Sequence, residues 1–106
     1  MSSGNMKTTS PELTLDRVNA ITRQVAEILV KKNQDYGGAS FDLGLTGNMV
    51  HLWDKVRRYR TLVEKGSNGT GKPNFESIED TLKDIIGYAI IGLIILEENV
   101  NERHHE

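Results

Sequence analysis

Apolar residues recur at intervals of three and four along three stretches of the chain, which is the spacing of one face of an α-helix. We predict helices over residues 10–32, 46–66 and 74–99. Their apolar positions are Leu15, Val18, Ile21, Val25, Ile28 and Leu29; then Met49, Leu52, Trp53, Val56, Tyr59 and Val63; then Ile78, Leu82, Ile85 and Ala89. Candidate N-cap residues are Ser10, Thr46 or Asn48, and Asn74 or Ser77. The pattern predicts an all-α fold, a three-helix bundle with room for a short fourth helix in a loop.

The third predicted helix is apolar around most of its circumference over residues 85–96. This run is shorter than the roughly 20 residues that a membrane-spanning helix needs. Such a helix must be buried on most sides, and two other helices cover only part of it. We therefore expect a homo-oligomer, a dimer or tetramer, in which C-terminal helices pack across a twofold axis and Gly87 and Gly92 allow close approach. The residues expected at this contact are Ile90, Leu93 and Ile94.

Length and composition favour one small domain. Of the 106 residues, we assign 1–9 to a disordered polar tail, 10–100 to a single all-α domain and 101–106 to a polar C-terminal tail. The absence of cysteine excludes disulfides and thiolate metal sites. The N-terminus lacks the apolar segment of a signal peptide, which favours the cytoplasm, that of the host cell if a phage encodes the protein. A net charge of −2 does not favour binding to a nucleic-acid polymer.

Residues 33–47 contain four glycines and no helical period, which predicts a long loop. Asp35 and Tyr36 stand next to a glycine pair, and Tyr36 is a candidate for stacking on a base. Long loops in small domains are often functional, but a helix end followed by a simple turn gives the same pattern. We expect Phe41, Leu43 and Leu45 to hold the loop on the core.

Polar residues form a row on each of the last two predicted helices. On the second helix the row consists of His51, Asp54, Lys55 and Arg58; on the third it consists of Glu76, Asp80, Asp84 and Tyr88. Grouped carboxylates need a positive counterpart, either Mg²⁺ or the basic residues of the neighbouring helix. The first case predicts a metal held against phosphates, and the second predicts an ion-pair network.

Three blocks of sequence resemble a family of small proteins common in phages and their hosts. The blocks are KNQDYGG (32–38), DKVRR (54–58) and FESIEDTLKDIIGYAII (75–91). In this order they resemble DUF1599, the nucleotide modification associated domain 1 family. That resemblance implies a role in nucleotide metabolism, without a settled activity.

A more distant similarity is to the MazG-like all-α nucleoside triphosphate pyrophosphatases. Those enzymes are known for an ExxE pair and an ExxD pair on two helices, which together bind Mg²⁺ and the triphosphate. This chain differs in both places, with His51 and Asp54 for the first pair, and with Asp80 and Asp84 separated by four positions for the second. A missing carboxylate weakens Mg²⁺ binding, because this ion requires strict octahedral geometry.

These observations predict a nucleotide-binding protein and leave two functions open. The first is a non-catalytic sponge that sequesters a nucleotide or cyclic-nucleotide signal, an anti-defence role in phages; the second is a Mg²⁺-dependent nucleotide pyrophosphatase. The residues predicted to bind the ligand are Lys32, Asp35, Tyr36, His51, Lys55, Arg58 and Tyr88. The residues predicted to hold Mg²⁺, if the protein is enzymatic, are Asp54, Glu79, Asp80 and Asp84.

Overall fold

The computed structural model describes residues 10–36, 38–67 and 75–105. Its elements are α1 (Leu15–Tyr36), a 3₁₀ turn (Ala39–Phe41), α2 (Gly44–Ser67) and α3 (Phe75–His105). The prediction of an all-α fold is confirmed, and the 3₁₀ turn takes the place of the optional loop helix. The N-terminal segment 1–9 lies outside the described residues.

Helix α1 begins later than its sequence predicts, because Thr14 is its cap. The Thr14 hydroxyl oxygen accepts a hydrogen bond from the backbone N–H of Arg17 at 3.2 Å, which is the geometry of an N-cap. Ser10, Pro11 and Glu12 precede the helix, so the prediction that Ser10 caps it is wrong.

The connection between α1 and α2 is shorter than the predicted loop over residues 33–47. Helix α1 continues to Tyr36, and Gly38 has a left-handed backbone conformation with a φ of 83°. The first backbone hydrogen bond of α2 runs from Gly47 N–H to Leu43 O at 3.2 Å, so the helix begins at Gly44. Thr46 and Asn48 are therefore helical residues, and neither of them is the predicted cap.

Apolar side chains of this connection face outwards. Phe41, Leu43 and Leu45 are all exposed, Leu43 to 84%. The expectation that they hold the loop on the core is wrong for the single chain. Leu43 also has a φ of 68°, a left-handed conformation that strains a residue with a Cβ atom.

Helix α3 is the longest element; it begins close to the predicted start and extends beyond the predicted C-terminal end. It begins at Phe75, so Ser77 lies inside its first turn and cannot be the N-cap; the other candidate, Asn74, lies outside the described residues. At the C-terminal end it continues to His105, through the stretch predicted as a polar tail. No helix in the described ranges is both long and apolar enough to cross a membrane.

Helix α3 lies at the centre of the fold. Helix α2 packs antiparallel along it, since Asn48 contacts Tyr88 whereas Lys55 contacts Asp84. Helix α1 packs on a shorter part of α3, and within the described residues the backbones of α1 and α2 do not approach each other. Among the described residues, the buried apolar side chains are Val25, Ile91 and Ile95.

Helix α2 turns a different face to the core than its apolar stripe predicts. Leu52 and Tyr59 are partly buried as predicted, but Met49, Val56 and Val63 are exposed and Trp53 is 65% exposed. The face towards α3 contains Asn48 and Lys55, and both make polar contacts with that helix. These contacts rotate the apolar stripe away from the core. On α3, Leu82 and Ala89 are likewise exposed, contrary to the predicted inner face.

The two glycines of α3 serve contacts inside the chain. A Cβ atom at Gly87 would lie 3.5 Å from Leu29 Cδ1, and one at Gly92 would lie 2.6 Å from Asn48 Oδ1. Gly87 therefore faces α1, and Gly92 makes room for the Asn48 side chain of α2. The expectation that they face another subunit is wrong.

Candidate functional site

A cavity of about 320 Å³ lies where the three helices meet. Its lining combines an apolar wall with charged and aromatic groups at one side. The apolar wall consists of Val25, Ile28, Leu29, Gly87 and Ile91, and the polar side consists of Lys32, Lys55, Lys83, Asp84 and Tyr88. Each of the three helices contributes a lysine or an acid, so the polar side forms only in the folded chain.

Asp84 joins all three helices at this cavity. Its Oδ1 accepts a hydrogen bond from Lys32 Nζ of α1 at 3.0 Å, and its Oδ2 pairs with Lys55 Nζ of α2 at 3.1 Å. Burial by itself would raise the pKa of the Asp84 carboxyl, but the hydrogen bonds and charges of the two lysines outweigh it and lower the pKa. Asp84 is therefore ionised at neutral pH.

The cavity carries more positive than negative charge. Lys32, Lys55 and Lys83 line it against the single carboxylate of Asp84. Lys83 also pairs with Glu79, at 2.7 Å, on the outer side of α3. Sequence reasoning missed Lys83, because a glutamate and a lysine four positions apart look like an ordinary surface pair on a helix. The signal that could have identified Lys83 is its position next to Asp84, a member of the predicted polar row.

An aromatic pair stands next to the charged groups. The rings of His51 on α2 and Tyr88 on α3 are stacked, with centroids 5.1 Å apart and planes 9° from parallel. Tyr88 lines the cavity, and its backbone carbonyl oxygen accepts the hydrogen bond from Asn48. The position of this ring is therefore fixed by two residues of α2.

The structure brings together part of the predicted ligand set. Lys32, Lys55 and Tyr88 line one cavity, and His51 stacks on Tyr88. Two others do not line it, since Asp35 is exposed on the last turn of α1 and Arg58 is exposed on α2. The side chain of Tyr36 lies outside the described part of the structure.

The predicted magnesium ligands do not form a centre within one chain. Asp84 is held by two lysines and Glu79 is paired with Lys83, while Asp54 and Asp80 are exposed. In the described ranges, no three acidic or histidine side chains are grouped so that they could hold a metal ion. The acids in the described part of a single chain therefore do not provide a donor set that fits Mg²⁺.

Comparison with known proteins gives one match. Neither curated proteins nor solved structures show a significant similarity to the chain. A family model described as nucleotide modification associated domain 1 matches residues 32–96, which is more than half of the chain. The matched segment contains the three cavity lysines and Asp84. The chain thus belongs to the nucleotide modification associated domain 1 family, DUF1599.

Proposed function

We propose that this protein binds a nucleotide or cyclic nucleotide in the three-helix cavity and holds it without cleaving it. The observation that carries the proposal is the joint presence of three lysines and an apolar wall in one cavity. In a phage, such a protein would act as a sponge that removes a nucleotide signal of a host defence. The description of the family as associated with nucleotide modification supports the same ligand class.

The polar side of the cavity suits a phosphate group. Lysine ammonium groups bind phosphate oxygens as point charges, and charge-assisted hydrogen bonds are stronger than neutral ones. Asp84 neutralises about one of the three positive charges and positions Lys32 and Lys55. An incoming phosphate would take up the remaining positive charge and would compete with Glu79 for Lys83.

The apolar wall suits the base and sugar. Ile28 and Leu29 offer accessible apolar surface without hydrogen-bond donors beside the buried Val25 and Ile91, and Tyr88 offers an aromatic ring. The cavity volume of about 320 Å³ is at the small end of the roughly 300–1,000 Å³ typical of small-molecule sites. We infer that the site accommodates one nucleotide unit.

The alternative, a Mg²⁺-dependent pyrophosphatase, is favoured by one feature of α3. Asp80 and Glu76 are exposed one and two turns, respectively, before Asp84, so their carboxylates are accessible. Because the acids within the described residues of one chain do not group into a metal site, we infer that catalysis of this type would use acids from a second chain.

The proposal is tested by retention of an intact ligand. The protein is incubated with nucleoside mono-, di- and triphosphates and with cyclic mono- and dinucleotides in Mg²⁺, passed through a desalting column and heat-denatured. Mass spectrometry of the supernatant identifies what was bound. We expect an intact nucleotide, and equal retention when EDTA replaces Mg²⁺.

Two outcomes contradict the sponge. Release of a cleaved product, with retention lost in EDTA, indicates the pyrophosphatase. Retention of none of the nucleotides contradicts both functions.

A further inference from the structure

Helix α3 has an apolar stripe on the side that faces away from the rest of the chain. It consists of Leu82, Ile86, Ala89, Leu93, Leu96 and Val100. Successive members are separated by four, three, four, three and four positions, which is the heptad spacing of a helix that packs along another helix. Leu93 at its centre is 62% exposed, and of the six only Ile86 is partly buried. Within the described residues, this stripe, called the α3 seam below, has no helix against it.

The apolar stripe of α2 lies on the same side as the α3 seam. The face of α2 that is turned to α3 contains Asn48, Leu52 and Lys55. The exposed stripe consists of the residue that follows each of them: Met49, Trp53 and Val56. On α3 the relation is the same. Its inward-facing residues include Thr81, Tyr88 and Ile95, and the residue after each of them belongs to the α3 seam. One step along a helix rotates the side-chain direction by about 100° around the helix axis. When two helices pack antiparallel, this step away from their shared contact leads to the same side of the pair in both helices. The α2–α3 pair therefore presents one broad apolar face.

We propose that this face binds a second copy of the chain, with the two α3 seams packed antiparallel across a twofold axis. The spacing of the α3 seam reads the same in both directions, so an antiparallel copy fits it in register. Leu82 then lies opposite Val100 of the partner subunit, and Leu93 lies opposite Ala89 of the partner subunit. A small residue thus faces a large one at the centre, as close packing requires.

Charges beside the α3 seam favour the antiparallel arrangement. Lys83 and Glu97 each follow a seam residue by one position, near opposite ends of the seam. In an antiparallel pair, Lys83 comes close to Glu97 of the partner subunit, and this opposite-charge contact occurs twice. In a parallel pair, the two Lys83 side chains lie at the same end of the seam, and Glu97 of the partner subunit lies 14 positions away. Since Lys83 also lines the three-helix cavity, the partner's Glu97 would reach the edge of that site.

A groove on the C-terminal half of the α3 seam provides the space for the partner. It has a volume of about 500 Å³ and is lined by Leu93, Leu96, Glu97 and Val100. The antiparallel register places the partner's Leu82, Ile86 and Ala89 in this groove. Because only three apolar side chains are buried in the described part of the single chain, a second copy also supplies the core that a domain of this size needs.

A pair of matched variants tests the interface. We expect sedimentation equilibrium of the wild-type chain to give a dimer or a multiple of it, and Leu93→Asp to halve the measured mass. Val30→Asp is the control, because Val30 is an equally accessible apolar residue, 58% exposed, on α1 away from the α3 seam. A monomeric wild type, or a mass that falls in the control and not in Leu93→Asp, would overturn the proposal.

Disulfide trapping tests the antiparallel register, even if Leu93→Asp fails to fold. The chain has no cysteine, so Leu82→Cys and Val100→Cys each introduce a single thiol. Coexpression of the two variants should give a mixed disulfide dimer on oxidation, whereas each alone should stay unlinked. In the antiparallel register, the two copies of residue 100 lie about 27 Å apart at 1.5 Å per residue. A disulfide requires Cα atoms within about 7 Å. Efficient linking of Val100→Cys alone, or no mixed disulfide, overturns the register.

Discussion

The side-chain Nδ2 of Asn48 donates a 2.7 Å hydrogen bond to the backbone carbonyl oxygen of Tyr88. Asn48 is buried, and its Oδ1 would lie only 2.6 Å from a Cβ atom built at Gly92, too close for both atoms to be accommodated. The hydrogen bond fixes both the rotation of α2 on α3 and the backbone beneath the Tyr88 ring. It therefore links the packing of the helices to the shape of the cavity.

Gly92→Ala should destabilise the fold by about 1–3 kcal/mol, since the new methyl group displaces Asn48 and strains its buried hydrogen bond. Gly87→Ala is the control, because its methyl group meets Leu29 Cδ1 at 3.5 Å, an ordinary contact. We expect it to be neutral, or stabilising by up to about 1 kcal/mol from helix propensity. Urea unfolding measures both. Equal effects at the two glycines would contradict the assigned packing of Asn48.

Asp84→Asn should reduce stability at neutral pH and have no effect at low pH. The pKa of Asp84 is lower in the folded chain than in the unfolded chain, where it is about 3.9. The contribution of the Asp84 carboxylate to the free energy of unfolding is therefore complete above the unfolded pKa. It is lost as the pH falls through the folded pKa. Asp84 keeps 24% of its side chain exposed, and solvent screening limits the contribution to about 1 kcal/mol. Urea unfolding at pH 7, 4 and 2.5 should show wild type and variant converging. The exposed Arg60–Glu64 pair gives the control, Glu64→Gln, with little difference at any pH.

Lys55→Ala should weaken nucleotide binding roughly 10-fold or more, which corresponds to loss of a charge-assisted hydrogen bond of about 1.5–3 kcal/mol. Arg58→Ala removes the same charge from an exposed position on the same helix that does not line the cavity. Calorimetric titration of both variants with the retained nucleotide separates a local contact from general attraction. A weaker affinity in Arg58→Ala than in Lys55→Ala would place the phosphate at Arg58, outside the cavity.

Trp53 should report on self-association, because it is the single tryptophan and lies on the apolar face of the α2–α3 pair. Its emission should shift to longer wavelength on dilution, as the indole returns to water. In Leu93→Asp the emission should already be at the longer wavelength at high concentration. An emission maximum that is independent of concentration, in a sample whose mass falls on dilution, would mean that Trp53 is not covered by the second copy.

Leu43→Gly should stabilise the chain by about 0.5–1 kcal/mol. The left-handed conformation of Leu43 costs roughly 1–2 kcal/mol, and the greater freedom of glycine in the unfolded chain offsets part of the gain. Gly44→Ala, at the next left-handed position, should have the opposite sign. Thermal unfolding compares the two variants. Destabilisation by Leu43→Gly would indicate that the exposed leucine makes a contact absent from the single chain.

The sequence by itself determined the three helices, because helical spacing of apolar residues depends on neighbours three and four positions away. It also identified Asp84, Lys55 and Tyr88 as members of polar rows, since a row on one helix is a local property. The start of α1 was missed because two residues near one another, Ser10 and Thr14, are both good caps, and only the folded backbone selects between them.

Only the tertiary structure decided which face of each helix turns inwards. The apolar stripe of α2 has the stronger local signal, yet Asn48 and Lys55 find partners on α3 about 30 to 40 residues later, and those contacts set the rotation of the helix. The Lys32–Asp84 bond spans 52 residues and has no trace in local spacing. The cavity, the place of Lys83 in it and the intrachain role of Gly92 depend on such long-range contacts, which the pattern along a single helix does not contain.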